Sequence, residues 1–387
     1  MNALHQTLAD LISIHSVNAF YDGGAGEAKL ARYIERFFAS RSIATQRHEV
    51  LPPNGNVEAR DNVIAKIPGQ TKDRRIILEA HMDTVSVKGM TIPPFVPTIQ
   101  NKLMYGRGSC DTKAGLAAMM HAMSDLAERR SMPPCEVWLA AVVDEEFSFR
   151  GVAKLCEDVR ADAAIVAEPT ENRLVIASKG VLRWRMVSYG RSAHSSKSHL
   201  GINAIQHMAR VVLALEQDDA TLAANCHPLL GIASCNVGKI DGGVQVNFVP
   251  DQCAIEIDRR LLPNESVSDV LAHYERLLVE VGKVSPEFDV RMEPPMLADE
   301  AWAADPASRI VQTAKKALQA LDMETIPCGV PFGSDASKLE RSGVPTILFG
   351  PGSIDQAHTA VEYVDLDQVD RAFEFYRHVI EGFEIED

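Results

Sequence analysis

Four apolar segments of this chain end at or close to side chains that can hold a metal ion. Ile76-Ile77-Leu78-Glu79-Ala80 leads into His81-Met82-Asp83, and residues 137–143 lead into Asp144-Glu145-Glu146. Residues 163–167 lead into Glu168, and 346–349 lead into Gly350-Pro351-Gly352 with His358 close behind. Unbroken apolar runs suit strands buried on both faces, as in a largely parallel sheet covered by helices. In such sheets ligands bind beyond the carboxyl ends of the strands. One run ending this way is easily an accident; a set of them points to a site.

The helical spacing of Leu30, Ile34 and Phe37–Phe38 predicts an amphipathic helix over 27–40. Leu116, Met119, Met120, Met123 and Leu126 predict another over 113–130, with Asp111 just ahead of its N-terminus. The middle of the chain reads differently. Strand candidates at 181–188, 231–237, 252–260 and 287–292 alternate with helix candidates at 202–216 and 267–281. The order β-α-β-β-α-β is that of a ferredoxin-like sandwich. The expected fold class is therefore α/β. A mostly parallel-sheet catalytic domain, 1–178 plus 294–387, carries an inserted ferredoxin-like α+β domain at 179–293.

Composition closes off several classes. The 387 residues are 46% apolar and 24% charged, which is ordinary for a globular chain and wrong for a disordered one. Acidic residues outnumber basic ones, 53 to 39, for a net charge of −14. That balance opposes a nucleic-acid partner. No apolar run approaches the roughly 20 residues needed to cross a bilayer, and the first residues do not read as a signal peptide. The seven cysteines are odd in number, scattered and without a C-x-x-C pair, which predicts reduced thiols in a cytoplasmic protein.

The candidate metal ligands are His81, Asp111, Glu146, Glu168 and His358. Five ligands with one bridging suffice for two ions, each taking an imidazole, a carboxylate and a share of Asp111. The donor mix suits zinc, with cobalt or manganese as alternatives, better than calcium. Glu145 stands beside Glu146, and adjacent side chains diverge. One can grip metal while the other accepts a proton from water. Asp83 can take the second N–H of the His81 ring and fix its tautomer. Read singly, each residue is as readily structural or at the surface, and an Asp-Glu-Glu run is by default a solvated loop. Burial at the end of an apolar strand argues otherwise, because unpaired buried charge is costly. From the residues alone both readings stand.

At these residues the chain resembles the di-zinc aminoacylase and exopeptidase family, which includes acetylornithine deacetylase, succinyl-diaminopimelate desuccinylase, aminoacylase and glutamate carboxypeptidase. The matching stretches are His81-Met82-Asp83-Thr84-Val85, Gly106-Arg107-Gly108-Ser109-Cys110-Asp111-Thr112-Lys113 and Asp144-Glu145-Glu146. Ala167-Glu168-Pro169-Thr170, Gly190-Arg191-Ser192-Ala193-His194-Ser195, Asp258-Arg259-Arg260-Leu261-Leu262-Pro263, Gly333-Ser334-Asp335 and Gln356-Ala357-His358-Thr359 follow in the family's order. The resemblance implies that His81 and Glu168 hold one zinc, Glu146 and His358 the other, and that Asp111 bridges. It implies Glu145 as general base and acid, Asp83 as the residue orienting His81, and a cis peptide at Asp111–Thr112. It further implies a homodimer in which His194 reaches the partner's site and stabilises the oxyanion.

For substrate recognition the expectation falls on Arg259, preferred over Arg260, as a bidentate carboxylate clamp; its bland alternative is a structural ion pair. Asn247 is expected to hydrogen-bond substrate, and Gly333 and Ser334 to offer backbone N–H groups. The implied activity is hydrolysis of the amide bond of a small N-acyl amino acid. The rivals are a dipeptidase or glutamate-releasing carboxypeptidase, a metal-dependent binding protein without turnover, and a two-metal phosphoesterase, which the charge balance disfavours. The chain departs from some acetylornithine deacetylases, which carry Thr-Glu where it has Ser334-Asp335; the acyl group is thereby left open.

Overall fold

The computed structural model describes residues 1–51 and 60–384. The chain divides into two compact units, one of residues 1–176, 304–328 and 334–387, the other of 177–303 and 329–333.

In the first unit the four apolar runs lie side by side as parallel strands, in the order Cys135–Val142, Thr71–His81, Ala163–Val166, Thr346–Leu348. Their registers align His81 with Val142, Glu79 with Val166, and Leu348 with Val166. All four carboxyl ends therefore reach one edge of the sheet. Two antiparallel strands, Arg60–Ile67 and Ala44–Val50, extend the sheet beyond Cys135–Val142. The helix Lys113–Arg129 packs against Leu366–Gly382 and Ala3–Ser13, and Arg150–Asp158 packs against Ala336–Arg341. Leu116, Met119, Met120, Met123 and Leu126 are fully buried on that first helix, each contributing about 1.5–3 kcal/mol by leaving water. Gly115 lets its first turn approach the sheet: a Cβ there would lie 2.6 Å from the Ala167 Cβ.

The second unit contains Gly180–Tyr189, Ala204–Leu222, Ser234–Gly242, Gln252–Leu261, Val267–Gly282 and Asp289–Met292 in chain order. Its strands pair antiparallel in the order Ser234–Gly242, Gln252–Leu261, Gly180–Tyr189, Asp289–Met292. Trp184, Met186, Ile255 and Ile257 face Met208, Val211 and Tyr274 of the two helices in one apolar core. The unit runs past the expected limit at 293. The short strand Leu297–Asp299 still pairs with Gly180–Tyr189, Leu297 opposite Arg183, and so belongs to this sheet.

Candidate active site

At the carboxyl edge of the parallel sheet, Asp111 stands between two imidazoles. His81 Nε2 lies 3.0 Å from its Oδ1, and His358 Nε2 lies 3.2 Å from its Oδ2. His358 is also 3.2 Å from Glu146 Oε2. Candidate ligand atoms of His81, Asp111 and Glu168 lie within 4.8 Å of one another, as do those of Asp111, Glu146 and His358. Asp111 is common to both groups. His81, Glu145 and Glu146 form a third group of the same size. The peptide between Asp111 and Thr112 is cis, and Thr112 Oγ1 donates to the Ala167 carbonyl at 2.8 Å. That bond fixes the start of the helix beside the strand end that carries Glu168.

The donors fit divalent ions of the zinc type: two imidazoles and several carboxylates, with His81, Asp111 and Glu168 buried, Glu145 and Glu146 half-buried and His358 exposed. Their electrostatics show the strain of crowding so much negative charge out of water. Burial, with the neighbouring carboxylates, raises Glu145 and Glu168 well above the usual carboxylate range. Burial alone would lower both histidines. Hydrogen bonds to Asp111 and Asp83 outweigh it at His81, and those to Asp111 and Glu146 push His358 up to about 11. Asp111 goes the other way: its hydrogen bonds to His358 and His81 overcome burial and hold it below the usual range. Bound cations would take the place of the protons that now balance these groups.

Asp83 stands beside the His81 ring and also shapes the neighbouring turn. Its carboxylate is 3.6 Å from His81 Nδ1, and its own backbone carbonyl lies at 2.9 Å from the same nitrogen. The carboxylate also accepts the backbone N–H groups of Glu145 at 3.2 Å and Glu146 at 3.1 Å, and Asn18 Nδ2 at 2.7 Å. Asp83 thus sets the turn from which the two glutamates diverge. Asn18 also donates to Asp144 at 2.8 Å, and Arg60 joins Asp144 at 2.7 Å to Glu27 at 2.8 Å.

The sequence reading missed Asn18, Arg60 and Glu27, whose partners lie far along the chain. It also missed Glu79 and left Asp335 without a role. Both carboxyls are buried near the site, and Asp335 is raised to about 7, chiefly by burial. A charged residue inside an otherwise apolar run was the available signal for Glu79.

Of the expected substrate residues, His194, Asn247, Arg259 and Gly333 belong to the second unit and Ser334 to the first. In the second unit His194 is exposed, and its Nδ1 accepts the Ser196 N–H at 3.2 Å. The proton of the neutral ring then sits on Nε2, the nitrogen that could donate to an oxyanion. Asn247 is close by, its carbonyl accepting the Ser195 N–H at 3.0 Å. Arg259 does not present an open clamp. It is 2% exposed, on the helix-covered face of the sheet, and paired with Glu265 at 2.5 Å. The alternation of the strand puts Arg260 on the opposite face, part-exposed and 2.8 Å from Asp258. Gly333 leaves no room for a side chain, since a Cβ would meet Asp299 Oδ2 at 2.5 Å. Ser334 is fully buried, and its hydroxyl accepts the Ala336 N–H at 3.4 Å.

A carboxylate shared by two imidazole–carboxylate pairs, with a spare glutamate alongside, is the donor set of a metal-dependent hydrolase. Comparison with known proteins says which kind. Residues 77–382 match Peptidase family M20/M25/M40, and the chain belongs to that family; it is a metal-dependent amidohydrolase. It is 30% identical over 344 residues to the acetylornithine deacetylase of Pectobacterium carotovorum subsp. carotovorum, covering 87% of this chain and 86% of that one. The crystal structure of aminopeptidase PepT from Bacillus cereus matches with a TM-score of 0.78 over 98% of both chains, at 22% identity. The YXEP protein of Bacillus subtilis, a dinuclear metal-binding peptidase of the M20 family, matches with a TM-score of 0.73 over 97% of this chain and 96% of that one, at 17% identity. At these identities the two structures establish the fold.

Proposed function

We propose that the protein hydrolyses the amide bond of small N-acyl amino acids, releasing the free amino acid. The observation that carries this reading is Asp111 lying between His81 and His358 with one oxygen toward each. His81, Glu168 and Asp111 would hold one zinc ion, and Glu146, His358 and Asp111 the other. Together the ions would lower the pKa of a shared water and polarise the scissile carbonyl. Glu145, grouped with His81 and Glu146, takes the proton of the attacking water and hands it to the leaving amine. His194 Nε2–H supplies the oxyanion donor from a second copy of the chain. Arg260, on the face of its strand away from the helices, is the better clamp for the substrate carboxylate, with Asn247 as a further hydrogen-bonding residue.

A homodimer is part of this proposal, and the second unit offers a surface for it. Ser234–Gly242 is an edge strand. Ile240 on that strand and Val244 and Val246 beyond it are exposed, the last two at 94% and 98%. An open apolar edge favours pairing with another chain.

The test is amine release after chelation and after adding back zinc, cobalt or manganese. The substrates are N-acetylornithine, N-acetylmethionine, N-succinyl-diaminopimelate and a few dipeptides. Metal-dependent release from an N-acyl amino acid supports the proposal. Release from dipeptides alone makes the protein a dipeptidase, and no release from any contradicts it.

A further inference from the structure

One buried carboxylate outside the ligand set gathers the loop that carries the bridging aspartate. Glu362 is fully buried. Its Oε2 accepts from Arg107 Nη1 at 2.7 Å and the Gly108 N–H at 3.0 Å. Its Oε1 accepts from the Cys110 N–H at 2.9 Å and the Asp111 N–H at 3.2 Å. Its backbone carbonyl accepts the Gly106 N–H at 3.1 Å. Every donor comes from residues 106–111, and the last is the backbone of Asp111 itself. The small antiparallel pairing of Tyr363–Asp365 with Leu103–Tyr105, Tyr363 opposite Tyr105, brings Glu362 against this loop. Arg107, 2% exposed, closes the arrangement from the other side by donating to the Ser86 carbonyl at 3.1 Å.

Glu362 also follows His358 by four residues. One side chain therefore ties two ligand segments together: the loop bearing Asp111 and the segment bearing His358. The other ligands, His81, Glu146 and Glu168, stand at or just beyond the ends of strands of the parallel sheet. We infer that Glu362 is a positioning residue for the metal centre. It sets the Asp111 carboxylate against His358 and so determines how tightly the ion shared by Asp111, Glu146 and His358 is held. The inference rests on the two-metal reading above.

The physical reason is a count of donors and charge. A carboxylate accepts at both oxygens, and here all four bonds converge on one negative group facing a buried guanidinium. An amide in its place would turn an NH₂ toward two of the four donors and leave Arg107 without its counter-charge. The loop would have to shift, and Asp111 would shift with it. Loss of a partner that orients a ligand typically lowers metal affinity about 10–100-fold.

The test titrates cobalt alone into chelated wild type, Glu362→Gln and Glu362→Asp, in competition with a chromophoric chelator. It records the cobalt absorption bands at each equivalent and far-UV circular dichroism as a check of folding. The wild type should take up two ions. In folded Glu362→Gln at least one of the two ions should bind about 10–100-fold less tightly, with an altered absorption band. Glu362→Asp keeps the charge but is too short to serve both pairs of donors, so its loss should be intermediate. A folded Glu362→Gln with wild-type affinities and bands overturns the inference. If Glu362→Gln does not fold, Glu362→Asp decides alone: weaker binding of either ion supports the inference and unchanged binding of both overturns it. A wild type that takes up no second ion contradicts the two-metal reading and, with it, the premise on which this inference rests.

Discussion

Glu145 and Glu146 are neighbours in sequence with separate surroundings, and the division of labour proposed for them depends on that. Glu146 stands against His358, while Glu145 feels His81, Glu168 and Asp335 most strongly. Glu145→Gln should keep bound metal and lose turnover by about 10²–10⁴-fold. A variant that holds its metal and keeps more than about a tenth of the rate contradicts the assignment. The same groups predict how pH acts. In chelated protein, His81 and His358 are raised above an ordinary histidine, so their contribution is fully present below about pH 6.5 and is lost as pH climbs. Glu145 and Glu168 are raised as well, so they too favour the fold at low pH and disfavour it as pH rises. Asp111, held low, opposes this only in strong acid. Chelated protein should therefore melt at a higher temperature near about pH 5.5 than near about pH 8.5, and the gain in Tm on adding zinc should be larger at the higher pH. Equal gains at both would contradict it.

At the scale of elements, Arg259 and Arg260 show what a strand's alternation decides. Arg259→Met removes one half of a buried ion pair and should cost about 3–5 kcal/mol in denaturant melts while leaving KM near wild type. Arg260→Gln should change stability by about 0.5 kcal/mol or less and raise KM. The reverse pattern would restore Arg259 as the clamp. The sequence showed that one of the pair faces away from the core but not which one, because the core-facing side depends on pairing with Gly180–Tyr189. The parallel strands were legible for the opposite reason: burial on both faces leaves an apolar run, and each run ended at or close to a proposed ligand. Ala44–Val50 was not legible, since Arg47, His48 and Glu49 give it no apolar pattern. Leu297–Asp299 has three residues, too few to show a period. Most of the proposed ligands stood out at strand ends. Glu362, Asn18 and Arg60 did not, because each meets its partners across long stretches of sequence.

For the whole molecule, the proposal requires a second copy of the chain to bring His194 to the site. Val246→Glu with Ile240→Glu, on the exposed edge of the second unit, should turn a dimer into a monomer by sedimentation velocity and lower kcat, with the metal content unchanged. Full activity in a proven monomer would remove His194 from the mechanism. Among the described residues no helix is long and apolar enough to cross a membrane. The central claim is that two ions sharing Asp111 carry out the reaction, and it is tested most directly by titrating zinc into chelated protein while following amine release from the substrate that the panel identifies. The account predicts no turnover without metal, and a rate that reaches its plateau at two zinc ions per chain and collapses in Asp111→Asn. Turnover that survives complete chelation, or a plateau at a single ion left unchanged by Asp111→Asn, would contradict it.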